Sequence, residues 1–145
     1  MPLIEFPYIA FRIPPSAPFP NGQIAMRPFA VAVLSASTGR RLRCLVCLDS
    51  GADSCVFPAR FASVLGLDML AMPTQFTGGV GSTANLTAYT QLAVDLGRGI
   101  QFQSYVGFTP AMDAQGIGLL GQAGFFDYYN VCFYQRQLRF TVETT

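Results

Sequence analysis

Leu45-Val46-Cys47-Leu48-Asp49-Ser50-Gly51-Ala52-Asp53-Ser54-Cys55-Val56-Phe57-Pro58 is the most informative stretch of this chain. An apolar run delivers one carboxylate to a tight Ser-Gly turn, and a second apolar run leaves it. The residues before Asp49 have the composition of a buried strand. Gly51 admits backbone conformations and close approaches that a side chain would block. An ionised carboxylate among such neighbours is costly, and a cost of that kind points to function.

The elements on either side are short and mostly extended. Pro28 to Leu34 and Leu42 to Leu48 read as two strands joined through Ser35-Ala36-Ser37-Thr38-Gly39-Arg40, so Asp49 leaves the end of a hairpin. Pro58 to Leu65 reads as a short helix with Gly66 as its stop. A second hairpin spans Gln75 to Leu86 and closes through Gly78, Gly79 and Gly81. Leu86, Ala88, Leu92, Val94 and Leu96 then alternate onto one face. Gly97-Arg98-Gly99 turns the chain into Ile100, Phe102, Val106 and Phe108, which alternate again. Leu119-Leu120-Gly121 leads into a second short helix near Ala123 to Tyr128, and a hairpin from Val131 to Glu143 ends the chain. Many short strands with one or two short helices predict an all-β, closed, barrel-like fold.

Composition narrows the chemistry. A chain of 145 residues is the size of one domain, and 51% hydrophobic against 12% charged content allows a sizeable core. A net charge of +1 argues against nucleic acid as partner. No apolar run is long enough for a membrane-spanning helix. Met1-Pro2-Leu3-Ile4-Glu5-Phe6 lacks the basic start of a signal peptide, so the expected location is the cytoplasm. The chain has no His, and its nine basic residues are all Arg. That excludes Ser-His and Cys-His nucleophiles, Schiff-base chemistry, a Walker A lysine and His-ligated zinc. Cys44 and Cys47 have C-x-x-C spacing, but odd spacing within a strand puts them on opposite faces, so they read as buried thiols. No metal or cofactor is expected, and acid–base work falls to carboxylates. Among the eight acidic residues only Asp49 has an apolar run before it and a Ser-Gly turn after it.

Three features in order give this chain a resemblance. Asp49-Ser50-Gly51-Ala52-Asp53 after its apolar run, the Gly-rich tip Thr77-Gly78-Gly79-Val80-Gly81-Ser82, and Ile117-Gly118-Leu119-Leu120-Gly121 followed by Gln122-Ala123-Gly124 resemble the signature, flap and second apolar-Gly element of retropepsin-like aspartic proteases. The likeness covers roughly Arg27 to Glu143. It implies an aspartic endopeptidase in which Asp49, Ser50 and Gly51 form the catalytic turn. Ala52, Asp53 and the flap residues Gly78, Gly79, Val80 and Gly81 would contact a peptide lying extended in the cleft. The chain carries a single Asp-Ser-Gly, so the dyad would be assembled across a homodimer, one Asp49 from each subunit. Many retropepsins place an Arg after the second Gly to pair with the acid matching Asp53; here that position is Gln122. The alternative is a catalytically silent retropepsin-like dimer serving as a binding or scaffold module. Residues 1–25, rich in Pro and aromatics, read as an N-terminal arm ahead of a protease-like domain at 26–145.

Overall fold

The computed structural model describes residues 2–77 and 85–144. Its strands are β1 (Leu3–Pro7), β2 (Ile9–Ile13), β3 (Gln23–Arg27), β4 (Phe29–Ser35), β5 (Arg41–Leu48), β6 (Cys55–Pro58), β7 (Thr74–Thr77), β8 (Asn85–Gly97), β9 (Ile100–Thr109), β10 (Gly118–Leu120), β11 (Asn130–Tyr134) and β12 (Arg139–Glu143). One α-helix, α1 (Ala59–Val64), follows β6.

Six strands close a barrel in the order β4-β5-β10-β6-β9-β8, sealed where Val33, Leu34 and Ser35 of β4 pair with Asp95, Val94 and Ala93 of β8. Two neighbouring pairs in it are parallel, β5 with β10 and β6 with β9. Strands of that kind are covered on both faces and read as near-continuous apolar runs, as Leu45 to Leu48 and Cys55 to Phe57 do. The interior is packed by Leu34, Val46, Phe57, Val94, Ile100, Val106, Phe108, Leu120 and Phe125, all fully buried. The fold is therefore the closed all-β barrel that the sequence predicts.

Local chemistry explains the connections. At the β8–β9 turn Gly97 pairs with Ile100, and Arg98 and Gly99 both have positive φ, at 55° and 84°. That is the primed hairpin turn that matches strand twist. Helix α1 ends where Gly66 takes a φ of 71°, with Leu67 N–H donating to Ala62 O and Gly66 N–H to Ser63 O. This pair of hydrogen bonds is the glycine-closed helix terminus.

Two local expectations fail. Ala123 to Tyr128 is a run of turns rather than a helix. Gly124 has a φ of 102°, outside helical space, and Ala123 is committed to a bridge with Ser54. Leu86, expected on the inward face of β8, is 48% exposed and sits opposite Phe76, which is 71% exposed. Both belong to the stem of the β7–β8 hairpin, which extends beyond the closed barrel.

The N-terminal residues are ordered strands. β1 pairs antiparallel with β12, giving a three-stranded sheet β1-β12-β11 in which Phe6 faces Phe140. Their rings stack at 5.0 Å, and Tyr8 and Phe133 complete the cluster around Phe140. β2 and β3 form a separate two-stranded sheet, and β3 runs continuously through residue 25 to Arg27, just before β4 begins.

Phe140 is fully buried at the centre of the β1–β12 contact. Phe140→Ala is expected to cost about 3–5 kcal/mol, the range for removing a buried aromatic ring. Urea unfolding of the two proteins measures this, and a loss under about 1 kcal/mol would show that this sheet adds little to the core.

Candidate active site

Asp49 lies immediately beyond β5, and its position is fixed from three directions. Leu48 N–H donates to Pro28 O at 3.0 Å, and Asp49 N–H donates to Leu120 O at 3.0 Å. The turn then closes on itself, with Ala52 N–H donating to Asp49 O at 3.1 Å. Gly51 N–H donates to Asp49 Oδ1 at 3.0 Å, an Asx-type turn that aims the carboxylate. A Cβ at residue 51 would stand 3.3 Å from that same oxygen, so glycine keeps the contact open.

The segment after β10 clamps the turn. Gln122 N–H donates to Ala52 O at 2.8 Å, and Ala123 N–H donates to Asp53 O at 2.9 Å. Gly121 passes so close that a Cβ would collide with the backbone carbonyl of Ser54 and lie 2.7 Å from Ala52 O. The predicted residues Asp49, Ser50, Gly51, Ala52 and Asp53 thus form one hydrogen-bonded unit with Gly121 to Ala123. The predicted flap residues Gly78, Gly79, Val80 and Gly81 lie outside the described residues; the paired stem leads to them from Thr77 opposite Asn85.

Two contributors carried no clear signal in the sequence. Gln122 uses its side-chain amide to donate to Ser50 O at 2.8 Å, tying the exposed tip of the turn to the clamp. A glutamine in an exposed loop has no pattern that announces such a bond. Cys55 is fully buried, and its sulfur accepts the Gly121 N–H at 3.4 Å while its S–H donates to Ala123 O at 3.7 Å. Burial pushes this thiol's pKa up, against the Gly121 N–H. A single Cys in an apolar strand reads as packing alone.

The other carboxylates have local structural partners. Glu5 pairs with Arg139 at 3.3 Å. Asp68 caps a 3-10 turn at Met69–Ala71 through Leu70 N–H at 3.0 Å. Asp95 accepts from Gly97 N–H at 2.7 Å and Gln101 Nε2 at 3.0 Å. Asp113 accepts from Arg60 N–H at 3.1 Å, Asp127 from Gly124 N–H at 3.0 Å, and Glu143 from Asn130 Nδ2 at 3.3 Å. Asp49 accepts the Gly51 N–H in the same local pattern as Asp68 and Asp95. Among the described residues Asp53 makes no ion pair, so no Arg stands in for the partner that Gln122 does not provide. Asp53 borders an open groove of about 430 Å³ with Ser54, Thr74, Gln75, Tyr89 and Tyr105. Its aromatic wall is the stacked pair Tyr89 and Tyr105, with centroids 5.6 Å apart. The groove runs from the Asp turn to the stem of the β7–β8 hairpin.

No group of His, Cys, Asp and Glu among the described residues is arranged to hold a metal ion. The four thiols are free. Cys44 and Cys47 lie three residues apart on one strand, a span of about 10 Å that a disulfide cannot bridge. Burial pushes the Cys44 thiol up to about 12. It pushes Cys47 up to about 11, with Asp49 adding to the rise and Arg27 opposing it.

A crystal structure of a retropepsin-like aspartic protease from Rickettsia conorii matches this fold with a TM-score of 0.57, over 99% of this chain and 99% of that one, at 16% sequence identity. No family model matches the chain, and no curated protein matches it. At that identity the likeness establishes the fold: a closed barrel of the retropepsin-like kind.

Two outcomes test the site as built. Gly121→Ala must push the clamp off the turn, because backbone carbonyls stand where the methyl would go; the expected cost is about 1–3 kcal/mol. Hydrogen exchange should show lost protection at the amides of Gln122 and Ala123, and unchanged protection there would contradict the close approach. Alkylation at pH 8 should spare Cys44 and Cys47, whose raised pKa values leave roughly one thiolate in a thousand or fewer. The exposed Cys132 should react first, and mass mapping of the labelled native protein reads the order.

Proposed function

We propose that this chain is an aspartic endopeptidase whose dyad consists of Asp49 from each of two subunits. The observation that carries the reading is the Asp49-Ser50-Gly51 turn, fixed by Leu120, Gln122 and Ala123 on a retropepsin-like barrel, with its carboxylate held by Gly51 N–H. Two such carboxylates brought together would share one proton, because like charges at close range resist joint ionisation. The ionised member takes a proton from water, and the protonated member donates to the carbonyl oxygen of the scissile bond. Water adds to the carbonyl carbon, and collapse of the tetrahedral species releases the amine after it receives a proton. One chain supplies one such turn, so the site requires a second copy related by a two-fold axis. Ser50 would hydrogen-bond across that axis. An extended peptide would run along the groove beside Ala52 and Asp53, under Gly78, Gly79, Val80 and Gly81.

A catalytically silent dimer for binding or scaffolding is the second reading. Gln122 favours it, since its amide serves Ser50 and leaves Asp53 without the cationic partner common in active relatives.

Digestion of a peptide library by wild type and by Asp49→Asn separates the two. Asn preserves shape but cannot take up the proton. Cleavage is expected to fall by at least about 10²–10⁴-fold, the range for a lost acid–base group, with the dimer intact by sedimentation. A variant within tenfold of wild type would sink the assignment, and a wild type inert on every peptide would favour the silent module. Specific activity should also fall as the enzyme is diluted below its dimer dissociation constant. A flat response there would contradict a shared site.

A further inference from the structure

The hairpin formed by β2 and β3 is the one sheet among the described residues that belongs to neither the barrel nor the β1-β12-β11 layer. Its five-residue strands pair from Ile9 with Arg27 to Ile13 with Gln23, a reach of roughly 17 Å before the loop at 14–22 is added. A two-stranded hairpin alone is marginally stable in water and needs a further surface to pack on. Its own barrel supplies only part of that surface. Phe11 meets Phe29 edge to face at 5.3 Å, and Met26 packs partly against the core. The opposite pairings put Ala10, Arg12, Ile24 and Met26 on one face. On that face Ile24 is 63% exposed, and at the loop Phe19 is 38% exposed among Pro14, Pro15, Pro18 and Pro20.

The root of this hairpin is the second observation. β3 ends at Arg27, Pro28 O accepts the Leu48 N–H, and Phe29 pairs with Cys47. The hairpin therefore leaves the barrel at the end where the Asp49 turn lies, within two residues of it along β5. A shared dyad brings a second copy to that end. Stable interfaces take about 20–30 residues a side, far more than a five-residue turn presents, so neighbouring elements must contribute.

We propose that the β2–β3 hairpin is an intermolecular clasp whose loop end, where Ile24 and Phe19 are exposed, packs on a second copy of this chain as the two Asp49 turns meet. This rests on the dimeric reading above and adds to it a surface for which the barrel has no use. The clasp sets how tightly the two copies hold, and leaves the chemistry at Asp49 to the turn.

Three variants and three readouts test it. Ile24→Glu charges the loop end of the hairpin at an exposed position, Ile24→Leu keeps it apolar, and replacing residues 14–22 by Asn-Gly removes the loop while leaving Ile13 beside Gln23. Sedimentation equilibrium gives the dimer dissociation constant, and cleavage at saturating subunit concentration gives the catalytic rate. The expected result is a dissociation constant at least about tenfold higher for Ile24→Glu and for the loop replacement. Ile24→Leu should match wild type, and all three should have catalytic rates within about twofold of it and unchanged circular dichroism. An unchanged dissociation constant in both disruptive variants overturns the clasp, as does a wild type that stays monomeric at every concentration. A lost rate at saturation with an unchanged dissociation constant also overturns it, and assigns the hairpin to the peptide. The dyad is tested separately: a fully active Asp49→Asn that still dimerises through Ile24 would remove the dyad and keep the clasp.

Discussion

The site depends on one close crossing, the passage of Gly121 over the turn at Ala52 to Ser54. Three backbone hydrogen bonds, from Asp49, Gln122 and Ala123, form only if the two segments approach to a distance that no Cβ allows at residue 121. Those bonds satisfy main-chain groups that would otherwise be left beside a packed core, where an unpaired amide is expensive. They also remove the freedom of the turn that carries Asp49. The parallel pairing of β5 with β10 is what delivers both segments to the same end of the barrel. A rigid turn at the end of a buried strand is the arrangement a positioned carboxylate requires, since small misplacements are costly in catalysis.

What the sequence makes legible follows from what the barrel needs. Alternating and continuous apolar runs are demanded by one-sided or two-sided burial, so most strands, the closed all-β class and the Asp49 turn can be read before any coordinates. Gly66 and the Gly97-Arg98-Gly99 turn are equally legible, because positive φ selects glycine there. The misreadings share a cause. Ala123 to Tyr128 has the composition of a helix, but the bridge from Ala123 to Ser54 and the 102° φ of Gly124 commit its backbone elsewhere. Leu86 keeps the strand's alternation and still stands outside, because the β7–β8 stem projects past the barrel it would pack against. Tertiary context decided both, and periodicity does not carry it. The bonds made by Gln122 and Cys55 were hidden for a simpler reason: neither residue type in its local pattern implies a partner some 65 to 75 positions away.

Charge distribution sharpens the assignment. With no His and no Lys, the chain has few groups able to exchange protons, and most of its carboxylates have evident structural tasks. Asp95 and Asp113 hold turns and helix starts, Asp127 closes the loop at Gly124, and Glu5 and Glu143 sit on the terminal sheet with Arg139 and Asn130. The 12% charged content and the Arg-only cations then take on meaning: guanidinium groups stay protonated, so proton transfer is left to the acids.

Apolar surface is divided in the same way as charge. The barrel buries most of its large side chains, from Leu34 and Val46 through Phe57, Phe108 and Leu120, although Val31 on β4 and Tyr105 on β9 stay exposed. The large apolar side chains left uncovered include Phe76 and Leu86 on the β7–β8 stem and Ile24 and Phe19 on the β2–β3 hairpin. Both features project from a core that is already filled, so neither set is needed to hold the monomer together. One stem borders the groove beside Asp53, and the other hairpin is rooted beside the strand that ends at Asp49. Apolar groups placed on projections and kept out of the core lower solubility without adding stability, unless a ligand or a second chain covers them. Two projecting elements, one bordering the groove beside Asp53 and one rooted beside β5, thus carry apolar side chains that the monomer's own core does not cover.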